Sequence, residues 1–409
     1  MKPILAVVYD TGSANPLEVL DAAEGLCDVL FLLDHGRSAV AEAKELFEEI
    51  PTIDITGLSD KDIAERLRHR GVSGIVTFSE YAIARTAAVA DLADLPYHRP
   101  EVARRLTHKA DQRRCLAAAG VEAIRFRAIT DAAMARTALA EVGLPAVVKP
   151  TVGAASRNAF PVTTGDAWSE VEPRLRDETE LIIEELLVGD PAVAGQEWGD
   201  YLSVDAVTDA GRHRCVAVVG KFPLTPPFRE GGMVFPATVS PGTHRDAIEL
   251  AFAALTALGV ERGVTHTEIK LTARGPRIIE VNGRLGGYVG DIIRRAVGVD
   301  MVRLALRAAL GTAIDEQVPP PSGVTYSYFL PTPPGRVRLT ALRGAGEVRK
   351  LPGVASVNVY ARPGTLLDSS AGTQAYLGVV RGHAPDHAAV TATVKAMHDL
   401  IEATYSSVH

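Results

Sequence analysis

Cysteine is scarce in this chain. Its 409 residues include only Cys27, Cys115 and Cys215, far apart and without a CxxC pair. Neither a disulfide framework nor a zinc site built from cysteine is expected, and reduced thiols in a cytoplasmic protein are the expected state. Long apolar runs are missing too. The first, Ile4 to Val8, is too short for a signal h-region and is followed at once by Asp10. No stretch approaches a bilayer span, so no membrane association is expected. Basic residues are not concentrated either. The formal net charge is −7, from 43 Lys and Arg against 50 Asp and Glu, and no basic stripe of the kind nucleic acid requires is visible. GxGxxG does not follow the first apolar run, where Tyr9-Asp10-Thr11-Gly12-Ser13-Ala14-Asn15 stands instead. A bound dinucleotide is unsupported there, and the segment reads as a structural turn. Internal repeats and low-complexity segments are also absent.

What is present is the balance of a globular chain, 47% hydrophobic and 23% charged, long enough for two to four structural units. Residues 1–97 alternate buried-strand patterns (Ile4–Tyr9, Val29–Leu33, Gly74–Phe78) with helical periodicity at 17–24, 40–50 and 61–70. This predicts an open, doubly wound α/β unit. Pro96 and Pro100 mark its end, and one helical stretch is expected over 101–119, stopped by Gly120. Strands are expected at 146–149, 181–185, 201–208, 214–219, 264–271 and 277–281. The pairs 201–208 with 214–219 and 264–271 with 277–281 are joined by turn residues suited to antiparallel hairpins. Pro319-Pro320-Pro321 is a stiff linker into a last α+β unit whose final helix presents Val390, Val394, Met397, Leu400 and Ile401 on one face. The expected fold class is therefore mixed α/β and α+β, multidomain. The expected units are 1–97, 98–186, 187–318 and 319–409.

The chemistry concentrates in His266-Thr267-Glu268-Ile269-Lys270-Leu271 and Ile278-Ile279-Glu280-Val281-Asn282-Gly283-Arg284-Leu285-Gly286-Gly287. Side chains alternate along a strand, so Glu280 and Asn282 share a face, and Glu268 can come opposite them across the hairpin. Two carboxylates and an amide oxygen form an oxygen set suited to Mg²⁺ bridging phosphates. Arg284 would continue that face and offer a guanidinium fork to a phosphate or acyl-phosphate. Lys149 closes the apolar run Ala146-Val147-Val148, where a charge needs a partner. The small-residue loop Thr151-Val152-Gly153-Ala154-Ala155-Ser156-Arg157-Asn158 follows it and would let backbone N–H groups approach a triphosphate.

The Glu268…Glu280-Val281-Asn282-Gly283-Arg284-Leu285-Gly286-Gly287 pattern resembles the metal-binding hairpin of the ATP-grasp superfamily. The resemblance implies an ATP-grasp fold in which Glu268, Glu280 and Asn282 hold Mg²⁺ (with Mn²⁺ admissible) and Arg284 stabilises the phosphorylated substrate. By the same resemblance Lys109 and Lys149 contact ATP, and residues 151–158, Ser156 among them, form the lid. The segment Leu181-Ile182-Ile183-Glu184-Glu185-Leu186-Leu187-Val188-Gly189 is similar to the hinge, which places Glu184 at the adenine amino group and Glu185 and Leu186 beside the ring. Asp190, Glu197 and Asp200 all remain open for the ribose. The tail, through Leu351-Pro352-Gly353-Val354 and Arg362-Pro363-Gly364, resembles that of L-amino-acid ligases. In that branch the loop matching Phe228-Arg229-Glu230-Gly231-Gly232 borders the substrate, which makes Arg229 and Glu230 substrate candidates; Gly286 and Gly287, at the end of the hairpin pattern, are two more. A solvated loop is the alternative reading for 228–232, which is expected to be exposed. Glu80, at the C-terminal edge of the first unit's sheet, is a further substrate candidate. His266 reads as a structural neighbour and not as a base.

The activity so implied is ATP-dependent joining of a small carboxylate, such as an amino acid, to an amine through an acyl-phosphate, with release of ADP and phosphate. No Ser or Cys nucleophile is needed. The alternatives are a phosphotransferase acting on a hydroxyl and a nucleotide-binding regulatory protein with a degenerate site. The expected partners are the small-molecule substrates, with a homodimer admitted. Lys149 is expected to have no buried partner without nucleotide.

Overall fold

In the N-terminal unit the chain runs outward through three parallel strands, Ile4–Tyr9, Asp28–Leu33 and Thr52–Asp54. It then crosses back to place Val72–Val76 on the other side of the first. The reversal creates a switch point between the C-terminal ends of the first and last strands, the position at which open parallel sheets leave a crevice. The loop 10–15 and the segment 77–80 emerge side by side there. Gly12 is required at this point, because a Cβ on it would stand 2.4 Å from the Phe78 carbonyl oxygen. The computed structural model of the chain describes residues 2–315 and 317–408, so the outermost residues of the expected units 1–97 and 319–409 lie outside the described residues.

Two antiparallel sheets follow. A four-stranded sheet has the order Phe126–Ile129, Leu181–Glu185, Ala146–Pro150 and Phe160–Val162. Facing it is an eight-stranded sheet, in the order Gly275–Asn282, Gly263–Thr272, Tyr201–Asp209, Arg212–Lys221, Gly232–Phe235, Val324–Leu330, Gly378–Ala384 and Val354–Val359. The last three of these strands lie beyond the expected boundary at 318. The C-terminal residues thus extend the larger sheet and add a small sheet of Leu366–Asp368, Arg336–Arg343 and Glu402–Ser407. The final helix, His387–Leu400, buries Val390 and Met397.

Helix Met301–Ala309 is apolar on nearly every side and joins the N-terminal sheet to the large sheet. Its Leu304 and Leu306 share one buried cluster with Leu5 and Val7 of the N-terminal strands and with Val207, Val219 and Met233 of the large sheet. Burying an aliphatic side chain is worth about 1.5–3 kcal/mol, so these units are packed together and not merely tethered.

The single helix expected over 101–119 is instead two, Pro100–Thr107 and Lys109–Ala118. His108 takes an extended conformation between them (φ −107°, ψ 102°), and its Nδ1 accepts the Asp111 N–H at 3.3 Å as the second helix's N-cap. The run rich in Arg and Ala gives no sign of the break, because helix-forming residues continue on both sides of His108. The break is what turns Lys109 toward the cleft, where its own N–H donates to Thr151 O at 2.9 Å.

Candidate active site

The two antiparallel sheets, the switch-point loops and the C-terminal residues enclose a cavity of about 1080 Å³. Its floor is the hairpin 263–282. Glu268 and Glu280 are direct cross-strand partners, as are His266 and Asn282, so the three oxygen-bearing side chains face the cavity together. A bulge shifts the register between Glu268 and Ile269. Ile278 thereby turns into the core while Ile279, which strict alternation would bury, lines the cavity beside Glu280. Bulges next to active sites re-aim side chains in this way. Alternation alone gives no signal for Ile279.

Each acidic group of the hairpin meets a cation. Lys109 Nζ lies 3.2 Å from Glu280 Oε1 and donates to the Gly153 carbonyl at 2.8 Å. His266 Nε2 lies 3.5 Å from Glu268. Its Nδ1 is 2.7 Å from Asp205, which also accepts Ser203 Oγ at 2.9 Å. Burial alone would lower the His266 pKa, but the Asp205 carboxylate outweighs it and holds the imidazole charged. Arg284 Nη2 donates to Asn282 Oδ1 at 3.3 Å, and Arg284 Nε lies 3.0 Å from Glu80 Oε2. Burial pushes the Glu80 carboxyl up despite that guanidinium, and its Oε2 receives no hydrogen bond. Thus Glu80 and Arg284, 204 positions apart in the chain, meet across the switch point.

Lys149 has a buried partner after all. Its Nζ sits 2.5 Å from Glu184 Oε1, and Arg113 Nε and Nη2 reach the same carboxylate at 3.0 and 3.2 Å. Burial opposes ionisation of Glu184, but the two cations prevail and draw its pKa down to about 2. Glu184, expected at the adenine amino group, lines the cavity with both carboxylate oxygens engaged by Lys149 and Arg113. Arg113 in turn donates to the Ile278 and Ile279 carbonyls at 3.1 and 2.6 Å, tying the small sheet to the hairpin. Glu185 pairs with Arg125 at 2.7 Å. The Leu186 N–H donates to Pro145 O at 3.0 Å, so that N–H is not free for an adenine ring, although Leu186 and Leu187 both line the cavity. Of the ribose candidates, Asp200 pairs with Lys270 at 2.6 Å, while Asp190 caps the short helix that begins at Pro191. Ser156 lies in the cavity wall with a left-handed φ of 57°.

The 228–232 loop is not exposed. Arg229 is only 3% exposed and donates to Pro226 O, to Thr332 Oγ1 and O, and to Ala375 O. Arg229, expected as a substrate candidate, uses these hydrogen bonds to brace the loop and does not line the cavity. Glu230 does line it and accepts Lys221 Nζ at 3.2 Å. Gly286 is a packing glycine, since a Cβ would stand 2.4 Å from His266 Nδ1, whereas Gly287 lines the cavity.

Sequence reasoning missed the far wall. Tyr288 and Tyr376 share a hydrogen bond through their hydroxyls, Phe329 stacks on Tyr376 with centroids 5.1 Å apart, and Arg381 lies 5.6 Å above the Tyr288 ring. Lys221, Lys270 and Tyr201 were also missed; the Tyr201 hydroxyl is buried in the cavity wall without a hydrogen-bond partner. These residues come from five strands and, for Tyr288 and Tyr376, from two connecting segments, and only the tertiary fold brings them together.

A cleft between two antiparallel sheets, with a carboxylate hairpin on one side and strand-borne lysines on the other, is the arrangement of an ATP-grasp domain. Residues 142–291 match the ATP-grasp domain family, and residues 328–406 match the L-amino acid ligase C-terminal domain 2 family. The chain thus carries an ATP-grasp domain and an L-amino acid ligase C-terminal domain. It is 29% identical to the uncharacterized protein y4rH of Sinorhizobium fredii, over 78% of this chain and 65% of that one. It is 28% identical to the alanine–anticapsin ligase of Bacillus subtilis, over 58% of this chain and 53% of that one. The chain thus spans between half and two thirds of the length of these curated relatives. The crystal structure of an L-amino acid ligase from Bacillus licheniformis has the same fold, with a TM-score of 0.78 at 20% identity and 99% of each chain covered. Among the described residues no helix is long and apolar enough to cross a membrane.

Proposed function

We propose that the chain is an ATP-dependent carboxylate–amine ligase whose substrates are an amino acid or similar small acid and an amine. The observation that supports this most is the convergence, in one cavity, of the Glu268–Glu280–Asn282 face, the Lys109 and Lys149 ammonium groups and the buried Glu80–Arg284 pair. Among the described residues no group of three or more His, Cys, Asp or Glu forms a metal cage. The two carboxylates and one amide oxygen fit Mg²⁺, which keeps waters and shares phosphate oxygens. Glu268, Glu280 and Asn282 would hold it, and bound there it neutralises phosphate charge.

Lys149, oriented by Glu184, and Lys109, held over Glu280, meet the triphosphate of ATP. The apolar side chains of Ile279, Leu186 and Leu187 suit the adenine ring. A substrate carboxylate oxygen forms a bond to the γ-phosphorus, the bond to the β–γ bridging oxygen breaks, and ADP leaves. Arg284 meets the charge that develops on the transferred phosphoryl group. The amine then bonds to the acyl carbon, phosphate leaves with the C–O electron pair, and the nitrogen gives up a proton. Lid residues 151–158 keep water from the acyl-phosphate.

Supplying hydroxylamine with ATP, Mg²⁺ and a mixture of amino acids tests the reading. ADP, phosphate and a hydroxamate are expected. AMP and pyrophosphate would sink the acyl-phosphate route, and phosphorylation of a hydroxyl without hydroxamate would favour a phosphotransferase.

A further inference from the structure

One loop of the C-terminal residues, 369–376, reaches two segments that are far from it and from each other in sequence. On one side it grips the lid. Thr373 N donates to Ala155 O at 2.9 Å, and Asn158 N donates to Ser370 O at 3.2 Å. Between these bonds Gly372 lies flat against the lid with φ +73°, and a Cβ there would stand 2.0 Å from Ala155 O and 2.8 Å from Arg157 N. Only glycine satisfies both the left-handed backbone and the close approach. The lid held this way carries left-handed φ values at Ala155, Ser156 and Asn158, a conformation that persists only where surrounding contacts impose it.

On the other side the loop holds the substrate segment. Glu230 N donates to Thr373 Oγ1 at 3.2 Å, while the Glu230 carboxylate faces the cavity and accepts Lys221. The two grips use different atoms of one residue: the Thr373 main chain holds the lid, and its side chain holds Glu230.

We propose that Thr373 is a positioning residue that couples closure of the nucleotide lid to the placement of Glu230 in the substrate cavity. Binding of nucleotide under the lid then stabilises the substrate segment as well, so the site is assembled for the carboxylate and amine when ATP is in place. The inference rests on the ligase reading for the identity of the nucleotide and the substrates. Its geometry is independent of which amino acid is used.

Amide hydrogen exchange, measured with and without the ATP analogue AMP-PNP and Mg²⁺, tests it. In the wild-type chain the analogue is expected to slow exchange in both 153–158 and 229–231. Thr373→Val keeps the main-chain bond to the lid and removes the bond to Glu230. Protection of 153–158 should then persist, while the nucleotide-induced protection of 229–231 falls on the order of fivefold, the worth of one ordinary hydrogen bond. Thr373→Ser, which keeps the hydroxyl, should restore it. Gly372→Ala should lose nucleotide-induced protection in both segments. A Thr373→Val chain in which AMP-PNP still protects 229–231 as in wild type overturns the coupling and leaves the ligase reading intact. If the wild-type chain does not bind AMP-PNP at all, the nucleotide reading fails, and the coupling fails with it.

Discussion

Two carboxylates show how closely charge is compensated in the cavity wall. Lys149 and Arg113 share the Glu184 carboxylate, and Lys109 covers Glu280. Lys149→Met therefore removes a buried ion-pair partner as well as a phosphate contact. Leaving a charged group one hydrogen bond short typically costs about 1–3 kcal/mol, so the free protein should lose stability, read as an earlier midpoint in urea. Its ATP affinity, read by calorimetry, should fall roughly ten- to a hundredfold, the equivalent of a charged hydrogen bond. The pH dependence of Glu184 follows from the sign of its shift. Its pKa is depressed from 4.5 to about 2, so its stabilising contribution is fully present above 4.5 and disappears as pH falls through about 2. The shift corresponds to about 3 kcal/mol. The stability gap between wild type and Glu184→Gln should therefore be widest above pH 4.5 and should narrow progressively below it; a gap independent of acid would remove the assignment. Glu280→Gln should fold normally and form ADP slower by roughly a hundredfold or more, the scale on which a group meeting transition-state charge contributes.

At the scale of elements, close contacts between main chains decide what can be exchanged. Gly74 sits in the last strand of the N-terminal sheet, and a Cβ there would stand 2.5 Å from the Ala309 carbonyl oxygen at the end of helix Met301–Ala309. The clash is with backbone, which cannot rotate away. Gly74→Ala should therefore push the helix off the sheet and destabilise the chain by about 1–3 kcal/mol, the usual cost of overpacking, measured by denaturant unfolding. A neutral result would mean that the helix has room to slide. Gly286 is crowded instead by side chains, those of His266 and Val289.

For the whole molecule, the continuous core cluster from Leu5 through Leu306 to Met233 ties the N-terminal sheet, the connecting helix and the large sheet into one packed body. The last three strands are hydrogen-bonded into that same sheet. Thermal unfolding followed by tryptophan fluorescence and by far-ultraviolet circular dichroism should accordingly give coincident transitions, where separately folding units would give two. Mg²⁺ with AMP-PNP should shift that transition upward, by the equivalent of about 2.7 kcal/mol at a hundredfold excess over the dissociation constant. The Mg²⁺ requirement of the shift should be lost in Glu280→Gln.

Local pattern was enough for much of this. Alternation put Glu280 and Asn282 on one face. The apolar run before Lys149 marked a charge in need of a partner. Turn residues announced the hairpins whose pairing brings Glu268 opposite Glu280. These features depend on neighbours along one strand or across one turn, which is what sequence periodicity encodes. Other features depend on strand register, local caps or contacts between distant segments, and the periodic pattern did not carry them. The bulge that turns Ile279 into the cavity arises from register between strands. The helix break at His108 hides within a run of helix-forming Arg and Ala residues. Arg229 is buried because its loop folds onto Thr332 and Ala375, and Glu184 is occupied because Arg113 arrives from another helix. The sequence by itself determined the identity of the reactive groups and the strand that bears each one. Which groups are already paired, and which walls close around them, was decided only by the order of the sheets, because buried charge selects its partner by distance in space and not along the chain.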